Sequence, residues 1–307
     1  MPVSISGRER MMMVMHLCYI ARVTNQTLPP VLRFAPSPNG YLHLGHAYSA
    51  LLNKRFAREL GGRLLLRIED IDITRCRPDY ETALREDLAW LGLEWEEPVR
   101  RQSEHFDDYA KALDRLQALG LLYRSYASRK DIAAASGQDW PRDPDGAPLY
   151  PREALQAIDN PAVHAEDEPF SLRLDMGKAL ALSPPLSWQE LQPDLTCIEV
   201  LPAEPARWGD VILGRKEFPA SYHLAVVHDD ALQGVSHVAR GRDTFQATAI
   251  HRLLQQLLGL PQPLYHHHAL ILGEEGAKLS KSLASKSLRA LRAEGMTPAD
   301  VRKLVGM

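Results

Sequence analysis

A chain of 307 residues, 45 % hydrophobic and 24 % charged, has the length for one large or two modest domains around a substantial core. No apolar run reaches the roughly 18 residues of a membrane span, and the three cysteines, Cys18, Cys76 and Cys197, stand singly, as reduced thiols of a cytoplasmic protein do. A net charge of −3 excludes a uniformly basic nucleic-acid surface, so any RNA contact has to rest on local patches such as Arg100-Arg101.

Residues 1–30 read as a poorly ordered extension that an upstream start codon would explain. The apolar tract at 11–20 is short, interrupted by His16 and without a small-residue cleavage site, unlike a signal peptide. From Val31 the pattern is strand, loop, helix. Val31, Leu32 and Phe34 are extended and apolar, and Pro36, Pro38 and Asn39-Gly40 break the strand. From His46 onward apolar residues recur every four positions, through Leu52, Phe56 and Leu60, until Gly61-Gly62 stops the helix. His43-Leu44-Gly45-His46 therefore falls at a helix N-terminus. Free N–H groups and the positive dipole end favour a phosphate there, and Gly45 leaves room for a nucleotide against the backbone. Taken alone, the two histidines would more simply be a cap and a surface residue.

Residues 63–72 form a short apolar run ending in acids, the pattern of a buried parallel strand whose carboxyl end borders a ligand site. Glu69 and Asp70 either pair a substrate ammonium or stand as solvated loop acids, and composition favours the second. The segment 138–168, rich in Pro, Asp and Gly, reads as an insertion or connector with little regular structure. Residues 209–227 read as a hairpin, with Val211-Ile212-Leu213 turning near Arg215-Lys216-Glu217 into Tyr222 to Val226. His266-His267-His268 sits on an extended run, where side chains alternate faces and three in a row do not converge on one metal ion.

Farther on, Lys278-Leu279-Ser280-Lys281-Ser282 follows an apolar run and a turn. Lysines on such a loop can close over the β- and γ-phosphates and neutralise charge as the α–β bond breaks. By itself the tract is an ordinary basic loop. Paired with the upstream histidines, it points to ATP chemistry in which a carboxylate attacks the α-phosphate and pyrophosphate leaves. The tail, 283–307, reads as one or two helices, with Thr297 as N-cap, Pro298 at the first position and Asp300 in the first turn. From Lys278 onward seven Lys and Arg face two acids, which suits a phosphate backbone and a solvated helix face equally.

The tracts 33–40 with 43–46, 67–72, 222–230, 234–243 and 276–281 resemble class I aminoacyl-tRNA synthetases of the glutamyl type. Within that family they resemble the short branch that modifies tRNA(Asp), and the likeness covers most of the chain. It implies an α/β fold, a Rossmann-like parallel sheet with an inserted subdomain and a short helical C-terminal tail. The expected divisions are an extension (1–30), a first catalytic half (31–122), an insertion (123–208), a second half with the lysine loop (209–282) and a tail (283–307) in place of an anticodon-binding domain.

The resemblance also implies residue roles. Arg33, Phe34, Ala35, Pro36 and Ser37 line a glutamate pocket, Arg33 pairing the side-chain carboxylate, for which a guanidinium fork is suited. Glu69 holds the α-ammonium, and Tyr222 and Arg240 complete the amino-acid site. His43, Gly45 and His46 contact ATP, and Lys281, supported by Lys278, stabilises the departing pyrophosphate. The implied substrates are L-glutamate, ATP with Mg2+ and the anticodon stem-loop of tRNA(Asp), with no membrane or protein partner. Glutamate would be activated without tRNA and passed to a cyclopentene hydroxyl of queuosine at the wobble position. Three rivals remain: a minimal synthetase charging a tRNA 3′ end, a non-catalytic RNA- or amino-acid-binding paralogue, and another class I nucleotidyltransferase. One departure is clear. Where many relatives carry zinc-binding cysteines this chain has Ser125 and Ala127; Tyr150 is kept but the cysteine after it is missing, so no zinc is expected.

Overall fold

A computed structural model describes residues 28–195, 198–270 and 286–307. The first half is two right-sized βαβ units. Strand β1 (Val31–Phe34) leads through helix α1 (Leu44–Glu59) to β2 (Arg63–Ile68), and α2 (Pro78–Trp90) leads to β3 (Glu96–Arg101). The three strands are parallel in the order β1-β2-β3, with Leu32 opposite Leu64 and Phe34 opposite Leu66. Helix α1 packs Ala47, Ala50, Leu51 and Phe56 inward and is followed by Gly61 at φ +61°. At Gly62 a Cβ would stand 2.4 Å from the Pro30 carbonyl oxygen, so only glycine lets β2 start beside the entrance to β1.

Helix α3 (Phe106–Ala118) leads to a smaller layer built from β4 (Leu122–Ser125), α4 (Arg129–Ala135), β5 (Ser171–Leu174) and α5 (Met176–Ala181). The Pro-, Asp- and Gly-rich segment before β5 holds one short 3-10 turn, Pro161–Val163. Strands β6 (Ser187–Leu191) and β7 (Ile198–Pro202) pair antiparallel, and β8 (Ile212–Gly214) joins β4 and β5 in an antiparallel sheet. Then come α6 (Tyr222–Leu232), β9 (His237–Gly241), α7 (Thr248–Leu258) and β10 (Leu264–His268). Strand β10 lies between β9 and β6, parallel to both. The chain closes with α8 (Leu288–Ala293) and α9 (Pro298–Leu304), the second begun by Thr297 with Asp300 in a capping box.

Two expectations are overturned. The hairpin read at 209–227 is half right: β8 is a strand, but Tyr222 opens helix α6. Leu224, Ala225, Val226 and Val227 are all buried, so the helix has no polar face there to print a 3.6-residue period, and a short apolar run is ambiguous by pattern alone. Ser221 accepts from the Leu224 N–H and supplies the cap. The solvated-acid reading of Glu69 and Asp70 also fails. Asp70 is buried, accepting from Arg101 at 3.0 Å and from the Ser103 N–H at 2.8 Å, and Glu69 is ion-paired to Arg67 at 3.0 Å.

The parallel sheet β1-β2-β3 meets the mixed sheet β7-β6-β10-β9 edge to edge at β1 and β9. The Ser236 N–H donates to the Val31 carbonyl at 3.0 Å and the Val31 N–H to Ser236 Oγ at 2.9 Å. Asn53 of α1 reaches across to the Ala239 carbonyl at 3.1 Å. From β1 the chain winds outward one way and from β9 the other, which makes this seam a topological switch point, where open α/β sheets bind ligands. No helix among the described residues is long and apolar enough to cross a membrane.

Candidate active site

A cavity of about 590 Å³ opens at the ends of β1 and β9. Arg33, Phe34, Ala35, Pro36 and Ser37 wall one side, and Tyr222 and Arg240 the other. His43, Gly45 and His46 reach it from the start of α1, and Glu69 from the end of β2. The structure thus brings every sequence-predicted site residue between 33 and 240 to one place. Lys278 and Lys281 lie outside the described residues.

The two histidines build the start of α1. His43 Nδ1 accepts from the Gly45 N–H at 3.1 Å, and His46 Nδ1 accepts from the His43 N–H at 3.2 Å. This is a capping box made with imidazoles, so both histidines take part in the cap, where the simpler reading had one capping and the other on the surface. An Nδ1 that accepts leaves the ring proton on Nε2, a donor suited to phosphate oxygen. The rings stand 3.9 Å apart. A Cβ on Gly45 would lie 2.9 Å from His43 Cε1, so glycine lets the ring fold over the backbone.

Beneath the cavity, three strands send arginines to one acidic pair. Arg33 of β1 donates to Asp230 at 3.0 Å, Arg67 of β2 donates to the same oxygen at 2.8 Å, and Arg100 of β3 donates to Asp229 at 2.8 Å. Tyr109 and Gln102 also donate to Asp229, at 2.8 and 2.9 Å. Burial alone would push the Asp229 carboxyl up. The His228 hydrogen bond, the Arg67 and Arg100 charges and the Gln102 amide outweigh it and bring the group to about 2. Burial prevails at Glu69, whose carboxyl sits above its ordinary value despite Arg67 and Arg33.

Ser49 and Thr244 also line the cavity and carried no motif signal; His268 lines it too, singled out in sequence only within a histidine run weighed for metal, and Gly241 and Asp243 at least fell inside the tract 234–243. The consecutive histidines of β10 are each buried and separately engaged: His266 with the Leu191 carbonyl at 2.7 Å, His267 with Glu190 at 2.9 Å and His268 with the Ala269 carbonyl at 2.9 Å. Among the described residues no group of three or more His, Cys, Asp and Glu is placed to hold a metal ion.

Around Ser125 and Ala127, where the resemblance put the absent zinc-binding cysteines, the donors are a hydroxyl, a phenol and a carboxylate already joined to one another. Ser125 Oγ and the Tyr150 hydroxyl are 2.8 Å apart, Tyr150 donates to Asp159, and Asp159 accepts from the Tyr126 N–H at 2.9 Å. Arg173 lies over the Tyr150 ring at 3.6 Å. This set does not fit a structural zinc ion, which takes thiolates and imidazoles.

The family described as tRNA synthetases class I (E and Q), catalytic domain, matches residues 31–306. The Glutamyl-Q tRNA(Asp) synthetase of Rhodobacter capsulatus is 45 % identical over 90 % of this chain and 100 % of its own length. Glutamate--tRNA ligase 2 of a Methylobacterium species is 37 % identical over 90 % of this chain, which spans 60 % of that ligase. Among solved structures, a glutamate tRNA ligase from Elizabethkingia meningosepticum in complex with its amino acid superposes with a TM-score of 0.69 at 25 % identity, covering 90 % of this chain and 60 % of that one.

Proposed function

Because the chain belongs to the class I tRNA synthetase family of the E and Q type, a family of ligases, we propose that it activates L-glutamate with ATP and Mg2+, without tRNA, and passes the glutamyl group to queuosine at the wobble position of tRNA(Asp). The observation that carries this reading is one cavity where the Arg33 tract, the imidazole-capped helix start and Arg240 converge. The relative named for this reaction is covered over its whole length and at higher identity than the glutamate--tRNA ligase.

In the first step the glutamate α-carboxylate attacks the α-phosphorus, the α–β P–O bond breaks and pyrophosphate departs. In the second a cyclopentene hydroxyl of queuosine attacks the acyl carbon, AMP leaves and the hydroxyl proton is lost. Arg33 and Arg240 face the substrate side chain, Glu69 holds the ammonium, and His43 and His46 present donors to the triphosphate at a helix N-terminus. Lys281 and Lys278, outside the described residues, stabilise the pyrophosphate as it forms. The 37 % relative favours a second reading, charging of the 3′ end of tRNA(Glu).

Transfer of labelled glutamate to tRNA(Asp) with and without queuosine, beside tRNA(Glu), decides between them. Labelling confined to queuosine-containing tRNA(Asp) is the expected result. Labelling of tRNA(Glu) establishes the second reading, and absence of glutamate-dependent ATP–pyrophosphate exchange both without and with tRNA overturns both.

A further inference from the structure

Of the arginines at the cavity, Arg240 alone among the described residues is held only by neutral groups. Arg33 and Arg67 are ion-paired to Asp230, and Arg67 also to Glu69. Arg240 is 7 % exposed. Its Nε donates to His267 Nε2 at 3.1 Å, and its Nη1 donates to His251 Nδ1 at 3.0 Å and to the Tyr222 hydroxyl at 3.4 Å. Its Nη2 donates to Thr248 Oγ at 2.8 Å and to the Thr244 carbonyl at 3.3 Å. The nearest acid in this network, Glu190, meets it only through the far side of the His267 ring.

A guanidinium only donates and keeps its charge, so each imidazole nitrogen facing it has to be bare. The His267 proton is then on Nδ1, donated to Glu190 at 2.9 Å. The His251 proton is on Nε2, donated to His223 Nδ1 at 3.2 Å. Burial is the main influence keeping these rings neutral: with the Arg240 charge beside them it brings His223 and His267 to about 4 and sets His251 well below the ordinary range.

We propose that His251 and His267 are positioning residues that fix Arg240 as a cation without a carboxylate of its own, so that the side-chain carboxylate of the amino-acid substrate becomes its counter-ion. The reasoning rests on the proposed glutamate activation and adds what makes the site prefer an acid to its amide. A protein carboxylate in either histidine's place would neutralise Arg240 and repel the substrate's charge. A neutral acceptor orients the fork and leaves the charge for the ligand. Selection of this kind works against the wrong substrate as well, since glutamine leaves a buried cation unmatched.

The test is the isosteric pair H251N and H251D. Both put an oxygen where His251 Nδ1 stands, and only the second adds charge. In ATP–pyrophosphate exchange, H251N keeps the preference for glutamate over glutamine. H251D raises the KM for glutamate at least about tenfold over H251N, the scale of an opposite charge within a few ångströms, with the KM for ATP equal in the two. Equal behaviour of the pair, whether both keep or both lose the preference, overturns the proposal. Imidazole nitrogen-15 shifts of the wild-type protein supply a measurement no variant confounds: near neutral pH they show Nε2–H at His251 and Nδ1–H at His267, and an imidazolium at either overturns it. A wild type without glutamate-dependent exchange defeats the functional reading instead, and the nitrogen shifts still report on the histidines.

Discussion

Arg33 shows how a residue's partners limit what it does. Its Nε is committed to Asp230 at 3.0 Å, which fixes the plane of the guanidinium and leaves the rest of the fork for a ligand. Lysine has three donors on a single nitrogen and no planar fork, so it cannot hold Asp230 and a ligand carboxylate in the geometry of separate guanidinium nitrogens. Arg33→Lys is therefore expected to raise the KM for glutamate at least about tenfold, the loss of one charge-assisted hydrogen bond, while the KM for ATP holds. An unchanged glutamate KM would remove Arg33 from the substrate pocket. Such residues were legible in sequence because tract 33–37 is contiguous and ends a strand. His251 and Thr248 were not, because they lie within an ordinary helical run and acquire meaning only when folding sets them against Arg240. Glu69 and Asp70 show the same limit at closer range: adjacent acids of the same type, one facing the cavity and the other buried beneath Arg101 and Ser103, with no feature of composition to separate them.

Among the elements, α1 was the most readable and α6 the least. The glycine pair, the apolar period and the turn before His43 all agree on α1, whereas α6 is buried on too many sides to show a period. The fold adds to α1 the way its start is made. Two imidazoles satisfy backbone donors that Ser or Asp usually serve, so the cap and the proposed nucleotide contact fall to the same rings, Nδ1 to the cap and Nε2 to the ligand. Gly45→Ala tests that coincidence. The added methyl meets the His43 ring at 2.9 Å, and the ring, being a side chain, swings away while the helix stays. Stability should fall by only about 1 kcal/mol, the worth of a cap, whereas adenylate formation should slow by at least about tenfold. Thermal unfolding beside ATP–pyrophosphate exchange checks it, and a loss confined to stability would separate His43 from the nucleotide.

Across the whole molecule, the ion pairs that join the two catalytic halves take their cations from the first and their acids from the second. Arg33, Arg67 and Arg100 stand on three successive strands, and Asp229 and Asp230 are neighbours on α6, so these pairs pin the first sheet to the helix that leads into β9, beneath the seam that floors the cavity. The tracts were each visible in sequence, and the resemblance gave Arg240 to the amino-acid site, but nothing in them indicated that Arg67 and Arg100 are committed to the acids of α6. The electrostatics give a pH signature of known sign. Asp229 has a folded value of about 2 against an ordinary 3.8, and a depressed carboxyl contributes stability that is full above its unfolded value and drains as pH falls through the folded one. Wild-type stability should therefore drop by about 2 kcal/mol between roughly pH 5 and pH 2 on this account alone. Asp229→Asn should abolish that part of the slope. At neutral pH the variant should already be about 3 kcal/mol less stable, because Arg67 and Arg100 remain buried with a partner removed. Urea unfolding at both ends of the window measures it. If the variant shows the wild-type slope, the ion pairs do not hold the seam, and the cavity floor owes its rigidity to the apolar packing and backbone hydrogen bonds between β1 and β9.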